Sequence, residues 1–195
     1  AFLDISTGEF MCAEGNAAYL EKLLQSFTPS ELIFSKAAKK VASELLKNDY
    51  VTFHCEDWVY QVDFTYDKLK NHFGTSSLKG FGIEDLPSAS VAAGAILYYL
   101  EETEHKDIQH ISSISRIAED KYVWLDKFTI RNLELVFPQH EGGVPLIQIL
   151  DQTVTPMGSR MLKKWMVLPL KDKKAIEERL NVVDFFFQNP ALIEE

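Results

Sequence analysis

Residues 150–170 read LDQTVTPMGSRMLKKWMVLPL. The stretch carries a complete helix signal and no catalytic pattern. Thr155 is a good N-cap, since its hydroxyl can accept a hydrogen bond from the first turn. Pro156 suits the first helical position, where the N–H it lacks would be unpaired anyway. Met157, Met161, Leu162, Trp165 and Leu168 form one apolar stripe, with Arg160, Lys163 and Lys164 off it. Gly158 and Ser159 keep the first turn thin, so that a second helix can pack against it. Pro169 ends the helix. Asp172 caps the next one, where Ile176, Leu180, Val183 and Phe187 recur at helical spacing, and Asn189-Pro190 closes it. Two amphipathic helices joined by so short a linker are expected to turn sharply and pack as a pair. They cannot bury both stripes together with Phe185, Phe186 and Phe187. This part therefore reads as the start of a helical domain that needs more helices than residues 108–195 supply.

Upstream the pattern changes. AFLDIS and EFMCAE flank Thr7-Gly8, the signature of a hairpin. Asn16 caps a helix with Tyr19, Leu20, Leu23, Leu24 and Phe27 in period, and Thr28-Pro29-Ser30 stops it. ELIFS reads as a strand and YVTFHC as the next. Between them Ser35 caps a second helix, with Ala38, Val41, Ala42, Leu45 and Leu46 on one face and Asn48 at its end. Helices between strands imply crossovers and parallel pairs. Residues 57–73 read as mostly helical, ending at Phe73-Gly74. After a loop, Pro87 opens a long helix whose Ala89, Ala92, Ala93 and Gly94 would let another backbone approach closely. Residues 1–107 are thus expected to form an α/β domain of three layers, with a boundary at His105 to Asp107. Residues 108–195 are expected to begin a mostly α-helical one. The isoleucines at 108, 111, 114 and 117 fit a poor helix or, preferably, an extended stretch winding over a surface. KYVWLD reads as a short strand, DKFTIRNLEL as a helix and PQHEGG as a polar loop.

The chain of 195 residues is 46% hydrophobic and 25% charged, enough for a core and too apolar for disorder. Its net charge is −9; residues 1–107 hold 9 Lys against 17 Asp and Glu, and residues 108–195 hold 11 basic against 12 acidic side chains. That balance argues against a free-standing nucleic-acid binder. Lys163, Lys164 and Trp165 mix basic and aromatic character, but Trp165 belongs to the apolar stripe. Cys12 and Cys55 sit in strand-like runs and read as small buried hydrophobes. Without a signal peptide or an apolar run of spanning length, the expected location is cytoplasmic. The chain opens inside an apolar run with no initiating Met, as an excised segment would. There is no phosphate-binding glycine loop, and Gly142-Gly143 lacks the context of one. His54, His72, His105, His110 and His140 show no ligand spacing. The enzymatic alternative is a small metal-dependent nuclease using Asp4 with Glu44 and Asp63, since two-metal hydrolysis needs converging acids. Their ordinary placement favours Asp4 as a turn acid beside Ser6, Thr7 and Gly8.

Taken together, LDISTGEF, FGTSSLKGFGIED, LDKFTIRNLEL and ILDQTVTPMGSRMLKKWMVLPL resemble the MutS family of bacterial DNA mismatch-repair proteins, over the whole chain and in the family's order. The resemblance implies a ribonuclease H-like connector domain at 1 to about 107, short of its first strand, and the first part of the core or lever domain at 108–195. The nuclease alternative would share that ribonuclease H-like fold. The family's Phe-x-Glu mismatch wedge does not occur here. The DNA clamp and the ATPase domain, with its ATP and Mg, would lie outside these residues, so no cofactor and no catalytic residue is expected in them. The implied role is non-catalytic: to transmit change between the ATP and mismatch sites and to help dock MutL. The whole protein would be a dimer that holds mismatched DNA through other domains, while exposed apolar faces would let the isolated segment self-associate. Thr155, Pro156, Gly158 and Arg160 then form a structural joint. Asp67, Lys68, Lys70, Asn71 and His72 form the candidate MutL-docking face, pointing outward while Leu69 and Phe73 face the sheet.

Overall fold

The computed structural model describes residues 1–45, 50–103, 108–117, 121–125 and 127–192, without the side chains of 43–45 and 127. The boundary expected at His105 to Asp107, the placement of Leu46 and Asn48, and the side chains of Glu44 and Leu45 therefore lie outside the described residues. The chain divides into two units, Ala1–Ile117 and Ala118–Glu195.

In the first unit, Phe2–Asp4 (β1) and Glu9–Cys12 (β2) pair antiparallel, with Phe2 opposite Met11 and Asp4 opposite Glu9. The turn between them closes on Asp4. Its carboxylate accepts from the Ser6 N–H at 2.9 Å and its carbonyl from the Gly8 N–H at 2.9 Å, with Gly8 at φ 72°. Asn16 Oδ1 accepts from the Tyr19 N–H at 2.9 Å and starts Ala17–Phe27 (α1). Glu31–Ser35 (β3), Lys39–Leu45 (α2) and Val51–Cys55 (β4) follow, β3 and β4 running parallel from Glu31 opposite Val51 to Ser35 opposite Cys55. Ser35 Oγ accepts from the Ala38 N–H, so it holds the turn ahead of α2, and Val41 is exposed rather than buried on an apolar face.

Val62–Phe73 (α3) and Pro87–Glu102 (α4) are the long helices of this unit. Past them the chain is extended, as the spacing of its isoleucines favoured. Ser115–Arg116 (β5) lies parallel to β2, the Ile117 N–H donates to the Cys12 carbonyl at 2.8 Å, and Ile111, Ile114 and Ile117 are buried. The strands form two sheets, β1-β2-β5 and β3-β4. Phe10 and Cys12 of β2, Leu69 of α3, Ala93, Leu97 and Leu100 of α4, and Ile111 and Ile114 share one core.

Two devices fix α4. A Cβ built on Gly94 would stand 2.5 Å from Thr65 Cβ and 2.7 Å from Thr65 Cα, so α3 crosses α4 at a point where only a hydrogen fits. The helix also lacks a cap of its own, Leu86 offering no acceptor. Glu14, 74 residues earlier, supplies it by accepting from the Ser88 N–H at 3.0 Å and the Ala89 N–H at 3.4 Å. Glu84 organises the loop before α4, taking the Tyr66 hydroxyl at 2.9 Å and the Leu78 N–H at 3.1 Å.

The second unit contains Lys127–Asn132 (α5), Leu146–Leu150 (α6), Pro156–Val167 (α7) and Lys173–Gln188 (α8). Residues 121–125 of KYVWLD are not a strand. They make a single antiparallel bridge, Tyr122 to Leu170, beside a Val123 N–H bond to the Pro169 carbonyl at 2.7 Å. Pro169 has no N–H to donate, so a ladder cannot run on through it. DKFTIRNLEL is helical only to Asn132. Glu134 then takes φ 48°, and the Leu135 and Glu134 N–H groups return to the Ile130 and Arg131 carbonyls at 3.1 and 3.0 Å, a Schellman ending with glutamate where glycine is usual. The Glu134 carboxylate accepts from the Gln139 N–H at 2.9 Å, while the Gln139 side chain donates to the last carbonyls of α5. The pairing of α7 with α8 is also not as the stripes implied. No residue of α8 is buried; Leu180 and Val183 are each 59% exposed and Phe187 82%.

Gly94→Val should drive α3 from α4 and cost about 1–3 kcal/mol or more by overpacking, read from the denaturant midpoint. Glu14→Ala should remove the distant cap and cost about 1 kcal/mol, with the loss of amide protection confined to the first turn of α4.

Candidate functional site

The start of α7 is built as its sequence dictates. Thr155 Oγ1 accepts from the Gly158 N–H at 3.1 Å, and Pro156 occupies the first helical position. The sequence reading missed Asp151. Its carboxylate accepts from the Thr153 N–H at 3.1 Å, the Thr153 hydroxyl at 2.6 Å and the Ser159 hydroxyl, which ties the loop before the helix to its first turn. The Ser159 hydroxyl first, and Thr153 after it, holds the Asp151 carboxyl below the usual carboxylate range. A carboxylate two residues before a Thr-x-Thr-Pro signal was the clue available in the sequence.

Gly158 does not make room for a second helix. Its missing Cβ would lie 3.1 Å from Thr153 Cβ and 3.3 Å from Thr155 Oγ1, so the close neighbour is its own preceding turn. Arg160 is exposed just beyond it. Further along α7, Lys163 Nζ lies 5.7 Å from the centre of the Phe137 ring, and burial pushes this ammonium down from its ordinary pKa. The Arg179 guanidinium of α8 sits 4.2 Å from the centre of the Trp165 ring.

The five residues of the candidate docking face do not share one outward surface. Asp67 and Lys70 form an ion pair at 2.9 Å, with the Lys70 ammonium 5.0 Å from the centre of the Tyr66 ring. Asn71 is exposed beside them. Lys68 turns to α4 instead, pairing with Glu101. His72 Nε2 donates to the Ile111 carbonyl at 2.7 Å and so holds the extended 108–117 stretch. Leu69 is fully buried and Phe73 partly, as expected.

Among the described residues no group of three or more His, Cys, Asp or Glu is placed to hold a metal. Asp4 is engaged in its turn and Asp63 is exposed in the first turn of α3, so the nuclease alternative finds no converging acids there. Cys12 and Cys55 are free and buried, and burial pushes both thiols up, away from the reactive thiolate. No helix among the described residues is long and apolar enough to cross a membrane.

Two results should follow from the Asp151 knot. Its folded pKa is depressed, so its contribution to stability is present above the ordinary carboxylate pKa and is lost as pH falls through the lower folded value. The thermal-midpoint gap between wild type and Asp151→Ala should therefore be widest near neutrality and narrow in acid. Gly158→Ala should destabilise α7 because Thr153 is held in place by Asp151. That cost should shrink in the Asp151→Ala background, as a double-mutant cycle would read.

Two family models match the chain: MutS domain II over residues 1–112 and MutS domain III over residues 128–195. Curated relatives match along its whole length. The DNA mismatch repair protein MutS of Cytophaga hutchinsonii is 57% identical over 192 residues, 98% of this chain and 22% of the relative. That of Flavobacterium psychrophilum is 52% identical over 195 residues, 100% of this chain and 22% of the relative. That of Bacteroides fragilis is 50% identical over 190 residues, 97% of this chain and 22% of the relative. The chain thus spans about 22% of the length of the relatives it matches. By these matches the chain belongs to the MutS family of DNA mismatch-repair proteins, of which it carries domains II and III.

Proposed function

We propose that this chain is the connector and the first core segment of a mismatch-repair protein, a non-catalytic part that transmits conformational change between an ATP site and a mismatched-DNA site and helps dock MutL. The connector is assigned to residues 1–107 and the core segment to 108–195; the 108–117 stretch, packed in the first unit, is then the tether of the second. The two sheets are read as parts of one ribonuclease H-like, three-layer arrangement. ATP and Mg would belong to the ATPase domain of the full-length protein, which would act as a cytoplasmic dimer. The observation that carries the reading is the consecutive match of the two family domains. What supports it physically is a set of rigid packing joints, the Gly94 crossing and the Asp151 knot, of the kind long-range coupling requires.

Docking is assigned to Asp67, Lys70 and Asn71, with Lys68 and His72 holding that face to its neighbours. A swap, Asp67→Lys with Lys70→Glu, keeps the ion pair and reverses the surface, at a stability cost of no more than about 0.5 kcal/mol. In the full-length protein the swap should abolish MutL recruitment on mismatched DNA and leave mismatch affinity intact. Recruitment at the wild-type level would remove this face from consideration.

A further inference from the structure

The geometry points to a second interaction surface in the first unit: Trp58, backed by Phe64 and Tyr98, is a docking site for an arginine-bearing peptide segment of a partner protein. Trp58 lies in the 3-10 turn Asp57–Tyr60 directly after β4 and is 47% exposed. Its ring meets Phe64 of α3 edge-on at 5.0 Å and Tyr98 of α4 at 5.3 Å, and those two rings meet each other at 5.8 Å. Three mutually edge-to-face rings fix the plane of the indole, so a ligand need not order it on binding. Val62, four residues on at the start of α3, is also exposed and adds apolar surface. A rigid tryptophan open to solvent is the kind of feature that anchors an interface.

The rim decides the partner's charge. Glu56 and Asp57 precede Trp58, Asp63 opens α3, and Glu101 and Glu102 end α4. Among the described residues, two of these carboxylates are paired, Glu56 with Lys36 and Glu101 with Lys68. The rings already take one cation, since Lys68 Nζ lies 5.9 Å from the centre of Tyr98. Burial first, then the Glu102 carboxylate, pushes the Tyr98 phenol up. Such a rim repels phosphate polymers and acidic peptides and attracts basic ones. Between the two basic side chains, the planar, weakly hydrated guanidinium is the one that stacks well on indole. The same chain shows the geometry in Arg179 over Trp165. An apolar residue next to the arginine would cover Val62.

Hydroxyl-radical footprinting of the full-length protein, read by mass spectrometry, tests this with two octapeptides, one alternating Arg and Leu and the other Glu and Leu. Trp58 should be oxidised in the free protein, protected by the first peptide and untouched by the second. Trp58→Ala should weaken the Arg-Leu peptide by roughly tenfold or more. The pair Glu56→Gln and Asp63→Asn, which touches no buried side chain, should weaken it by a few-fold and flatten its salt dependence. Trp58 already protected in the free protein would mean that the rest of the chain covers it, and would overturn the proposal. Equal protection by both peptides, or unchanged affinity in both variants, would do so as well.

Discussion

The first unit depends on the contact between Gly94 and Thr65. A helix pair that meets through a missing Cβ has no slack: the axes are set by backbone against backbone, not by side chains that could repack. Thr65 can sit there because it is fully buried yet satisfied, its hydroxyl donating to the carbonyl of Gln61, the residue before α3, at 2.9 Å. Everything around the crossing inherits its position. Leu69, one turn on, meets Leu97 in the core on one side. Phe64 and Tyr98, the neighbours of the crossing on the other side, are brought edge to edge with Trp58. One small residue thus arranges both the buried centre of the unit and its exposed aromatic cluster.

The second unit is stabilised differently. Its order is local, written in caps and turns: Thr155 and Asp172 start helices, Asp151 ties a loop to a first turn, and Glu134 with Gln139 closes α5. Such interactions define where each helix begins and ends without burying much apolar area. That fits a segment whose helices keep broad hydrophobic faces exposed, from Phe128 to Leu180 and Phe187.

What the sequence disclosed follows from this contrast. The caps at Asn16, Thr155 and Asp172, the hairpin at Thr7-Gly8 and the small face of α4 were legible because each is decided by residues a few positions apart. The Glu14 cap was invisible, since its acceptor and donors come from opposite ends of the unit. The five polar residues of α3 were read as one outward face, because helical spacing does not reveal that Glu101 draws Lys68 aside or that Ile111 takes His72. The short α5 was misjudged for a similar reason: its end depends on a glutamate in a left-handed conformation, which composition disfavours and only Gln139 makes tolerable. Pro169, read as a helix stop, also interrupts the would-be strand facing it.

The reach of Glu14 bears on the order in which the unit assembles. The bond to Ser88 closes a loop of 74 residues, and long loops are entropically expensive to shut before other contacts hold their ends together. The first turn of α4 must therefore stay frayed during synthesis and early collapse, settling only when β2 has found its place. A chain whose amino-terminal hairpin has gone astray would thus keep an unfinished helix for chaperones and proteases to find.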